Sequence, residues 1–256
     1  MDLGLHGRKA IVTGGSKGIG KAIATLLVEE GADVAICARG KEAVDAAVAE
    51  LSGRGGVVVG DAVDITDAEA YPAFIASAAE RLGGLDTLIL NASVQPQGDD
   101  DATWQLTFES DVLSTVRAMR VARPLLAASD MGGSVVAVSS ITGLQPASGP
   151  GQTAYGTVKS AVITLAAKLA DELAADGVRV NTVVPGCITF PGGVWERMAQ
   201  AMPPVVERVA SSTMLGRLGA AEEVASTVVF LASPRSSYTT GASLRVDGGI
   251  VKAVDF

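Results

Sequence analysis

Short runs of apolar residues alternate along this chain with longer stretches in which apolar positions recur every three or four residues. The short runs predict buried strands, and the longer stretches predict amphipathic helices. Strands are expected at residues 8–13, 33–38, 57–65, 86–90, 133–139, 177–184 and 243–246. Helices are expected after the first strand through residue 30, and at 67–82, 103–128, 155–175 and 222–232.

The regular alternation of strand and helix predicts an α/β fold. We expect a single doubly wound Rossmann domain over residues 1–256, with a parallel seven-stranded sheet, right-handed crossovers and helices on both faces. A chain of 256 residues is long enough for one such domain, and no stretch of it resembles a linker. Residues 187–215 are less regular, with prolines and glycines around Trp195, and are predicted to form a substrate lid with short helices.

A glycine-rich turn, residues 14–20 with the sequence GGSKGIG, follows the first strand. Any tight strand-to-helix turn uses glycine. Here, however, a strand precedes the turn, and a helix and a second strand follow it at the spacing of a βαβ unit. Such a turn lets backbone N–H groups approach a pyrophosphate at a helix N-terminus. The pattern predicts a dinucleotide site formed by Gly14, Ser16, Lys17, Gly18, Ile19 and Gly20.

The end of the second strand bears on the choice of cofactor. An acidic residue is expected there when the ribose hydroxyls of NAD are bound. This strand instead ends at Arg39, and Lys17 lies in the glycine turn. Two cations suit a 2′-phosphate, so NADP(H) is favoured over NAD(H). The alternative is that Arg39 is a solvated charge at a strand end.

Tyr155 and Lys159 lie four residues apart in a predicted helix, so their side chains share one face. A nearby ammonium stabilises phenolate over phenol, which makes the tyrosine usable as an acid or base near neutral pH. On its own this spacing also occurs on solvated helix faces. The spacing becomes more informative because polar residues, among them Ser140, follow neighbouring predicted strands of the same sheet.

Composition and charge narrow the classes of partner. The formal net charge of −8 disfavours nucleic acid and anionic membranes, since both require basic patches. No apolar stretch is long enough to span a bilayer, and no signal peptide is expected. Cys37 and Cys187 have neither disulfide nor metal-ligand spacing and are interpreted as reduced thiols in a cytoplasmic protein. The one histidine, His6, precedes the first strand, which disfavours His-dependent mechanisms.

Together these motifs resemble the short-chain dehydrogenase/reductase family. The matching segments occur in the family's order over nearly the whole chain. They are residues 13–20, Asn91 to Ser93, Ser140, Tyr155 with Lys159, Asn181, Pro185-Gly186, and 246–249. Among the family's members, the resemblance extends to enzymes described as 3-oxoacyl-carrier-protein reductases.

The resemblance implies a role for each matching residue. Tyr155 would be the general acid/base, Lys159 would hold the nicotinamide ribose, and Ser140 would hydrogen-bond the substrate oxygen, with Ser139 as its rival. Asparagine at position 91 also has a purely structural interpretation, bridging backbone groups at a strand end. The cofactor contacts that the resemblance implies are Asp64 and Ile65 at the adenine, Asn91, Ala92 and Ser93 along the cleft, and Pro185, Gly186 and Ile188 at the nicotinamide.

Three positions depart from the family's pattern. Asp111 stands where the family usually has an asparagine that supports a proton relay. A carboxylate there adds a charge near Lys159 and cannot donate a hydrogen bond when ionised. Ser93 replaces a glycine beside the cofactor. The gap between Ser140 and Tyr155 is slightly long, and residues 149–151 (Gly-Pro-Gly) are expected to reshape the substrate mouth.

The leading functional hypothesis is an NADP(H)-dependent oxidoreductase that interconverts a carbonyl and a secondary alcohol, with Tyr155 as acid/base. The substrate is expected to be a small or apolar free molecule, with Trp104, Trp195 and Phe190 as candidate pocket residues or core residues. One alternative is a genuine 3-oxoacyl-carrier-protein reductase, although the places where such enzymes are basic, residues 129–132 and 174–177, are not basic here. Another is a non-catalytic, nucleotide-sensing protein on the same fold.

The resemblance also implies a homo-oligomer, a dimer or tetramer. Family members assemble through the two long helices, one before and one containing the Tyr/Lys pair, and through the C-terminal segment. The apolar run of residues 249–251 is compatible with that.

Overall fold

A computed structural model describes residues 2–146 and 151–253 of the chain. Seven strands form one parallel sheet, and two short strands pair separately. In chain order the nine strands are β1 (Lys9–Thr13), β2 (Asp33–Ala38), β3 (Val58–Ala62), β4 (Thr87–Leu90), β5 (Ser134–Val138), β6 (Arg179–Pro185), β7 (Ile188–Thr189), β8 (Gly219–Ala220) and β9 (Ser243–Val246). The order across the large sheet is β3-β2-β1-β4-β5-β6-β9, and β7 pairs with β8.

Helices connect the strands and cover both faces of the sheet. They are α1 (Gly18–Glu29), α2 (Lys41–Leu51), α3 (Ala70–Leu82), α4 (Asp101–Phe108), α5 (Ser114–Ala127), α6 (Thr153–Leu173), α7 (Val194–Ala201), α8 (Pro203–Ser212) and α9 (Ala221–Ala232). A π-helical turn, Glu109–Leu113, joins α4 to α5. These elements confirm the predicted parallel seven-stranded α/β fold.

The core divides into two layers because successive strand residues point to opposite faces of a sheet. In β1, Ala10 and Val12 pack with α1, α2 and α9 on one face. Ile11, between them, packs with α3, α5 and α6 on the other face. The strands are apolar on both faces, as expected for a parallel sheet that is covered on both sides.

The strand order reverses between β1 and β4. The chain builds β1, β2 and β3 outward to one edge, then crosses to place β4 on the other side of β1. The carboxyl ends of β1 and β4 therefore diverge into helices on opposite faces, which opens a crevice where open α/β sheets bind ligands. Most of the residues predicted for the site follow strands β1 to β6 at this edge, and Asp111, Tyr155 and Lys159 lie on helical segments.

The structure refines several predicted boundaries. Helix α2 was not predicted, and the helix expected at 103–128 is divided by the π-helical turn into α4 and α5. Strand β3 ends at Ala62, so Asp64 lies in the loop beyond it. Residues 149 and 150 of the loop expected to reshape the substrate mouth lie outside the described residues.

The predicted lid, residues 187–215, contains β7, α7 and α8. Neither of its helices has a fully buried side chain, whereas α9 has seven. That it acts as a lid stays a prediction. Among the helices that the structure describes, none has both the length and the apolar composition needed to cross a bilayer.

Candidate active site

The glycine turn after β1 has a backbone that side chains would disrupt. Gly14 and Gly18 have φ angles of 67° and 56°, which L-residues with a side chain rarely adopt. A Cβ on Gly20 would lie 2.2 Å from the carbonyl oxygen of Gly14, so the start of α1 packs directly on the turn. The glycines are therefore required by the geometry of the turn.

The N-terminus of α1 fits an anionic group. Lys17 precedes the helix without capping it through its side chain, and the first turn contains no acidic residue. The backbone N–H of Lys21 donates to the carbonyl of Lys17, so the N–H groups of residues 18–20 have no acceptor within the helix. Three free donors and the positive end of the helix dipole suit a pyrophosphate. Beside them Ser16 and Ile19 are half-buried, and Lys17 is exposed.

Thr13 and Asn91 tie the ends of β1 and β4 together. The Thr13 hydroxyl donates to the carbonyl of Ile89 and accepts from the backbone N–H groups of Asn91 and Ala92. The Asn91 amide donates to the carbonyl of Thr13 over 2.9 Å. These bonds fix the floor of the crevice. They also support the structural interpretation of Asn91.

The end of β2 presents uncompensated positive charge. Arg39 and Lys17 are both exposed, and neither forms an ion pair with any residue that the structure describes. The neighbouring acid Asp61 is already paired with Arg81 over 2.5 Å. Two solvated cations, Lys17 before α1 and Arg39 before α2, are therefore available to a phosphate.

The loop after β3 carries the two residues expected at the adenine. The Asp64 carboxylate accepts from the backbone N–H and the hydroxyl of Thr66, which shapes this loop. Ile65 is buried, and its side chain packs in the core layer that contains α3, α5 and α6. Its side chain thus supports the crevice from below.

Tyr155 and Lys159 lie near the start of α6, and both are buried. The Lys159 ammonium nitrogen is 5.5 Å from the centre of the Tyr155 ring and donates to the carbonyl of Val138 over 3.2 Å. It is 3.1 Å from a carboxylate oxygen of Asp111, in the π-helical turn. Helix α6, strand β5 and the π-helical turn therefore meet at one ammonium group.

Two opposing influences set the pKa of Lys159. Complete burial lowers it, but the negative charge of Asp111, together with Tyr155 and the hydrogen bond to Asp111, outweighs burial and raises the pKa above its ordinary value. Lys159 is therefore a permanent cation at neutral pH.

Two positions that depart from the family's pattern, Asp111 and Ser93, meet in the structure. The Ser93 hydroxyl donates to the carboxylate oxygen of Asp111 that faces Lys159, over 2.9 Å. The Ser110 hydroxyl donates to the other oxygen, also over 2.9 Å. Ser93 thus compensates the carboxylate at position 111 with a donor that a glycine lacks.

Ser140 ends β5 with its hydroxyl constrained. Both the backbone N–H and the hydroxyl of Thr142 donate to its oxygen, over 3.2 and 2.9 Å. A serine oxygen has two lone pairs, so these bonds leave its own hydrogen to donate elsewhere. The rival residue, Ser139, is buried and donates to the carbonyl of Lys159. The geometry favours Ser140 as the substrate contact.

The segment after β6 lies across the crevice. Gly186 donates its N–H to the carbonyl of Val246 over 2.9 Å, which ties Pro185 and Gly186 to β9. Ile188, in β7, is buried in the core. A Cβ on Gly18 would lie 2.8 Å from the ring of Phe190, so that ring covers the glycine turn. The residue pattern had suggested Phe190 only as a pocket or core residue.

One contact in the site was not predicted. The Gln95 side-chain amide, in the loop after β4, donates to the Tyr155 hydroxyl over 2.9 Å. Its position four residues beyond Asn91, in a loop at the switch point of the sheet, is the signal that could have identified it.

A cavity of about 380 Å³ lies elsewhere, beyond the carboxyl ends of β6 and β9. It is lined by residues 187–188, 213–215, Arg217, Gly219, Glu223 and 245–249. Neither Tyr155, Lys159 nor Ser140 contributes to it, so its position does not match the site described above.

Comparisons with known proteins agree with this geometry. The family model described as enoyl-(acyl carrier protein) reductase matches residues 14–251. Isoepoxydon dehydrogenase of Penicillium expansum is 34% identical, over 100% of this chain and 99% of that protein. The 3-oxoacyl-[acyl-carrier-protein] reductase of Thermotoga maritima is 33% identical, over 96% and 99%.

Among solved structures, L-sorbose reductase of Gluconobacter frateurii, in complex with NADPH and L-sorbose, superposes with a TM-score of 0.93. It is 32% identical and covers 99% of this chain and 100% of that one. By these comparisons, and with the fold and the glycine turn described above, the chain belongs to the short-chain dehydrogenase/reductase family, whose members interconvert alcohols and carbonyl compounds.

Proposed function

We propose that this enzyme is an NADP(H)-dependent reductase or dehydrogenase of a small, free carbonyl or alcohol, with Tyr155 as its acid/base. The observation that carries the proposal is a phenol with a buried ammonium beside it, since the Lys159 nitrogen lies 5.5 Å from the centre of the Tyr155 ring. The hydroxyl of Ser140, just beyond β5, keeps a hydrogen that it can donate.

The residues divide the chemistry as follows. When bound, the nicotinamide exchanges a hydride with the carbon of the substrate carbonyl. In reduction Tyr155 gives its hydroxyl proton to the substrate oxygen, and in oxidation the phenolate takes that proton back. The Lys159 ammonium stabilises the phenolate, and Ser140 donates a hydrogen bond to the same substrate oxygen.

Several features support a dinucleotide in the crevice. Gly14, Ser16, Gly18, Ile19 and Gly20 would hold the pyrophosphate, since the N-terminus of α1 supplies free donors. The remaining predicted contacts, Asp64, Ile65, Asn91, Ala92, Ser93, Pro185, Gly186 and Ile188, follow β3, β4 and β6 along the same edge.

Charge favours the phosphorylated cofactor. Arg39 and Lys17 are exposed cations without ion-pair partners among the described residues, and a 2′-phosphate is a suitable counter-ion. The structural relative with a TM-score of 0.93 binds NADPH, which supports the same choice.

We infer a free substrate rather than a carrier-bound one. The net charge of −8 would repel an acidic carrier protein. Residues 129–132 include Asp130 and lack a cation, and residues 174–177 include Asp176, which pairs with Arg123. The similarity to a 3-oxoacyl-carrier-protein reductase keeps that activity as the alternative. L-sorbose, the ligand of the other relative, is a free small molecule.

A non-catalytic, nucleotide-sensing role is less well supported. This alternative was based on Asp111 and Ser93, which depart from the family's residue pattern. In the structure these two residues hydrogen-bond to each other. A sensor has no need for Tyr155 with a buried cation beside it.

We further propose a cytoplasmic homo-oligomer. Both cysteines are free thiols, as expected in a reducing compartment. Leu106 and Phe108 of α4 expose apolar side chains on the helices expected at the interface. Light scattering at several concentrations tests for a dimer or tetramer, and a monomer throughout would exclude this assembly.

Fluorescence titration with NADPH and NADH at one ionic strength tests the cofactor. We expect tighter binding of NADPH, and we expect Arg39→Ala to weaken NADPH binding about tenfold while leaving NADH binding unchanged. Lys168→Ala serves as the control, because Lys168 is exposed on α6 and far along the helix from Lys159. Equal binding of both cofactors to the unmodified enzyme would contradict the assignment.

Turnover of Tyr155→Phe tests the mechanism. The variant keeps the ring and loses the transferable proton, so we expect it to bind NADPH normally and to lose at least a hundredfold in kcat. Near-full activity of this variant with any carbonyl substrate would rule out Tyr155 as the acid/base.

A further inference from the structure

We propose that Gln95 makes this enzyme selective for uncharged substrates that carry a hydroxyl group on the carbon next to the reacting carbon. The inference rests on the proposed function, because it uses the Tyr155 hydroxyl as the reference point for the reacting oxygen.

The first observation is the hydrogen bond from the Gln95 amide to the Tyr155 hydroxyl, over 2.9 Å. A phenol oxygen has one hydrogen and two lone pairs. Because Gln95 occupies one lone pair, the hydrogen of Tyr155 remains available to the substrate oxygen. Gln95 and the reacting oxygen therefore approach the same phenol oxygen from different directions, and they lie close to each other.

The second observation is the hydrogen-bonding capacity that Gln95 keeps. A primary amide has two N–H donors and a carbonyl oxygen. Within residues 2–146 and 151–253, its side chain makes no bond other than the one to Tyr155, and the residue is exposed. One donor and one acceptor thus remain beside the place where the substrate oxygen binds.

A hydroxyl group matches this pair, because it both accepts and donates. Gln95 and the reacting oxygen share the Tyr155 hydroxyl as a hydrogen-bond partner, so a substituent on the carbon next to the reacting carbon can reach the Gln95 amide. A hydroxyl at that carbon would accept from the free N–H of Gln95 or donate to its carbonyl oxygen. The favoured substrates are therefore α-hydroxy ketones in reduction and vicinal diols in oxidation.

The charge of the neighbouring loop argues for a neutral substrate. Asp99, Asp100 and Asp101 follow Gln95 in the same connection, and all three are exposed. Gly98 of this connection bonds to Gly151, just before α6, so the acidic residues border the approach to Tyr155. They repel carboxylates and phosphates but not hydroxyl groups.

The test compares matched ketones with and without the neighbouring hydroxyl. The pairs are hydroxyacetone with acetone, 1-hydroxy-2-butanone with 2-butanone, and 2-hydroxycyclohexanone with cyclohexanone, each reduced with saturating NADPH. For the unmodified enzyme we expect kcat/KM to favour the hydroxy ketone about tenfold, the effect of one hydrogen bond. For Gln95→Leu we expect the ratio to fall to about one.

Gln97→Leu is the matched control, since Gln97 is the same residue type in the same loop and makes no side-chain hydrogen bond among the described residues. It should keep the tenfold ratio. Loss of the Tyr155 hydrogen bond in Gln95→Leu affects both members of a pair equally, so the ratio isolates substrate recognition.

Three outcomes would overturn the inference. The first is no preference for the hydroxy ketones by the unmodified enzyme. The second is an unchanged ratio in Gln95→Leu with lower rates on both ketones, which would mean that Gln95 only positions Tyr155. The third is an unchanged ratio in Gln95→Leu with higher rates on both ketones, which would mean that the Gln95 side chain hinders substrate binding. Absence of turnover for every pair with NADPH and with NADH would instead overturn the proposed function.

Discussion

Asp111 and Lys159 form an ion pair that is almost completely removed from solvent, with side chains 1% and 4% exposed. Burying two charges is unfavourable unless the remaining hydrogen-bonding positions are filled. Here they are filled by named groups, since Ser93 and Ser110 donate to the carboxylate and the carbonyl of Val138 accepts from the ammonium. The pair therefore fixes the position of the cation beside Tyr155.

The dependence between Ser93 and Asp111 leads to a prediction about stability. Ser93→Ala removes a hydrogen bond to a charged group, and we expect a loss of about 1 kcal/mol in the free energy of unfolding, since Ser93 is only half-buried. In the Asp111→Asn background the acceptor is neutral, so the same change should cost less. Urea unfolding of the four proteins measures the coupling, which is the difference between the two costs and is expected at roughly 0.5 kcal/mol.

Asp111→Asn alone should be the more damaging of the two single changes. It leaves a buried ammonium without its counter-ion, and breaking such a pair destabilises by about 3–5 kcal/mol. Additive effects of the two substitutions would show that Ser93 and Asp111 do not depend on each other.

At the scale of elements, the periodicity of apolar residues was sufficient to predict the strands and most helices. The run at residues 33–38 coincides with β2, whose four central residues are buried and apolar, as expected for an inner parallel strand. The prediction at 243–246 coincides with β9, a partly exposed strand at the edge of the sheet. The proximity of Tyr155 and Lys159 followed from their spacing of four residues in α6, which places both side chains on one face of the helix.

The π-helical turn at Glu109–Leu113 could not be predicted from the periodicity of the apolar residues. A wide turn inside a helix frees backbone carbonyls, and here the hydroxyls of Ser114 and Thr115 bind those of Ser110 and Asp111. Serine and threonine also occur in ordinary helices, so their presence does not predict a π-helical turn. For the same reason the orientation of Asp111 and its bond to Ser93 could not be deduced from spacing.

Helix α2 was missed for a different reason. Only Val44, Ala47 and Leu51 of its eleven residues are buried, so its apolar face is narrow and partly made of alanine. The contact between Gln95 and Tyr155 lies in a loop, where neither period applies, so only the position of that loop at the switch point indicated that Gln95 could reach the site.

The lid leads to a prediction at this scale. Helices α7 and α8 have no fully buried side chain, so we expect them to open at a lower free energy than the sheet. Trypsin should therefore cleave first after Arg197 and Arg208, and saturating NADPH should slow those cleavages severalfold if the segment closes on the cofactor.

Mass spectrometry of the first fragments identifies the cleaved bonds. Arg54, exposed in the loop after α2, provides an internal control, since its cleavage should not depend on the cofactor. First cleavage at Arg54, or equal rates at Arg197 with and without NADPH, would contradict the lid.

For the whole molecule, three buried groups that titrate in alkali have raised pKa values. Burial raises the pKa of Cys37 from 9.0 to about 12. Burial also raises the pKa of Tyr71 well above its ordinary value, and in Lys159 the opposing effect of burial is outweighed by Asp111 and Tyr155, which raise the pKa. Between pH 9 and 12 these three groups therefore bind more protons in the folded chain than in the unfolded chain. Stability present at pH 8 must then decrease as the pH rises through this window.

The contribution of Cys37 alone shows the approximate size of this loss of stability. A thiol that keeps its proton to about pH 12 when folded, but releases it near 9.0 when unfolded, lowers the free energy of unfolding by about 2 kcal/mol at pH 10.5. Urea unfolding at pH 7.5 and 10.5 measures the total. Cys37→Ala should reduce the difference between the two pH values by about that amount.

Cys187→Ala is the comparison, because burial raises the pKa of Cys187 only to about 11 and its side chain is half-buried. Both thiols would release their protons near pH 9.0 in the unfolded chain, so at pH 10.5 the two variants should differ little. At pH 11.5 the folded Cys187 thiol is already ionised while Cys37 is still protonated. The free energy of unfolding should therefore decrease less steeply with pH in Cys37→Ala than in Cys187→Ala. Equal curves for both variants at that pH would mean that Cys37 is accessible to solvent, which its place in the core does not allow.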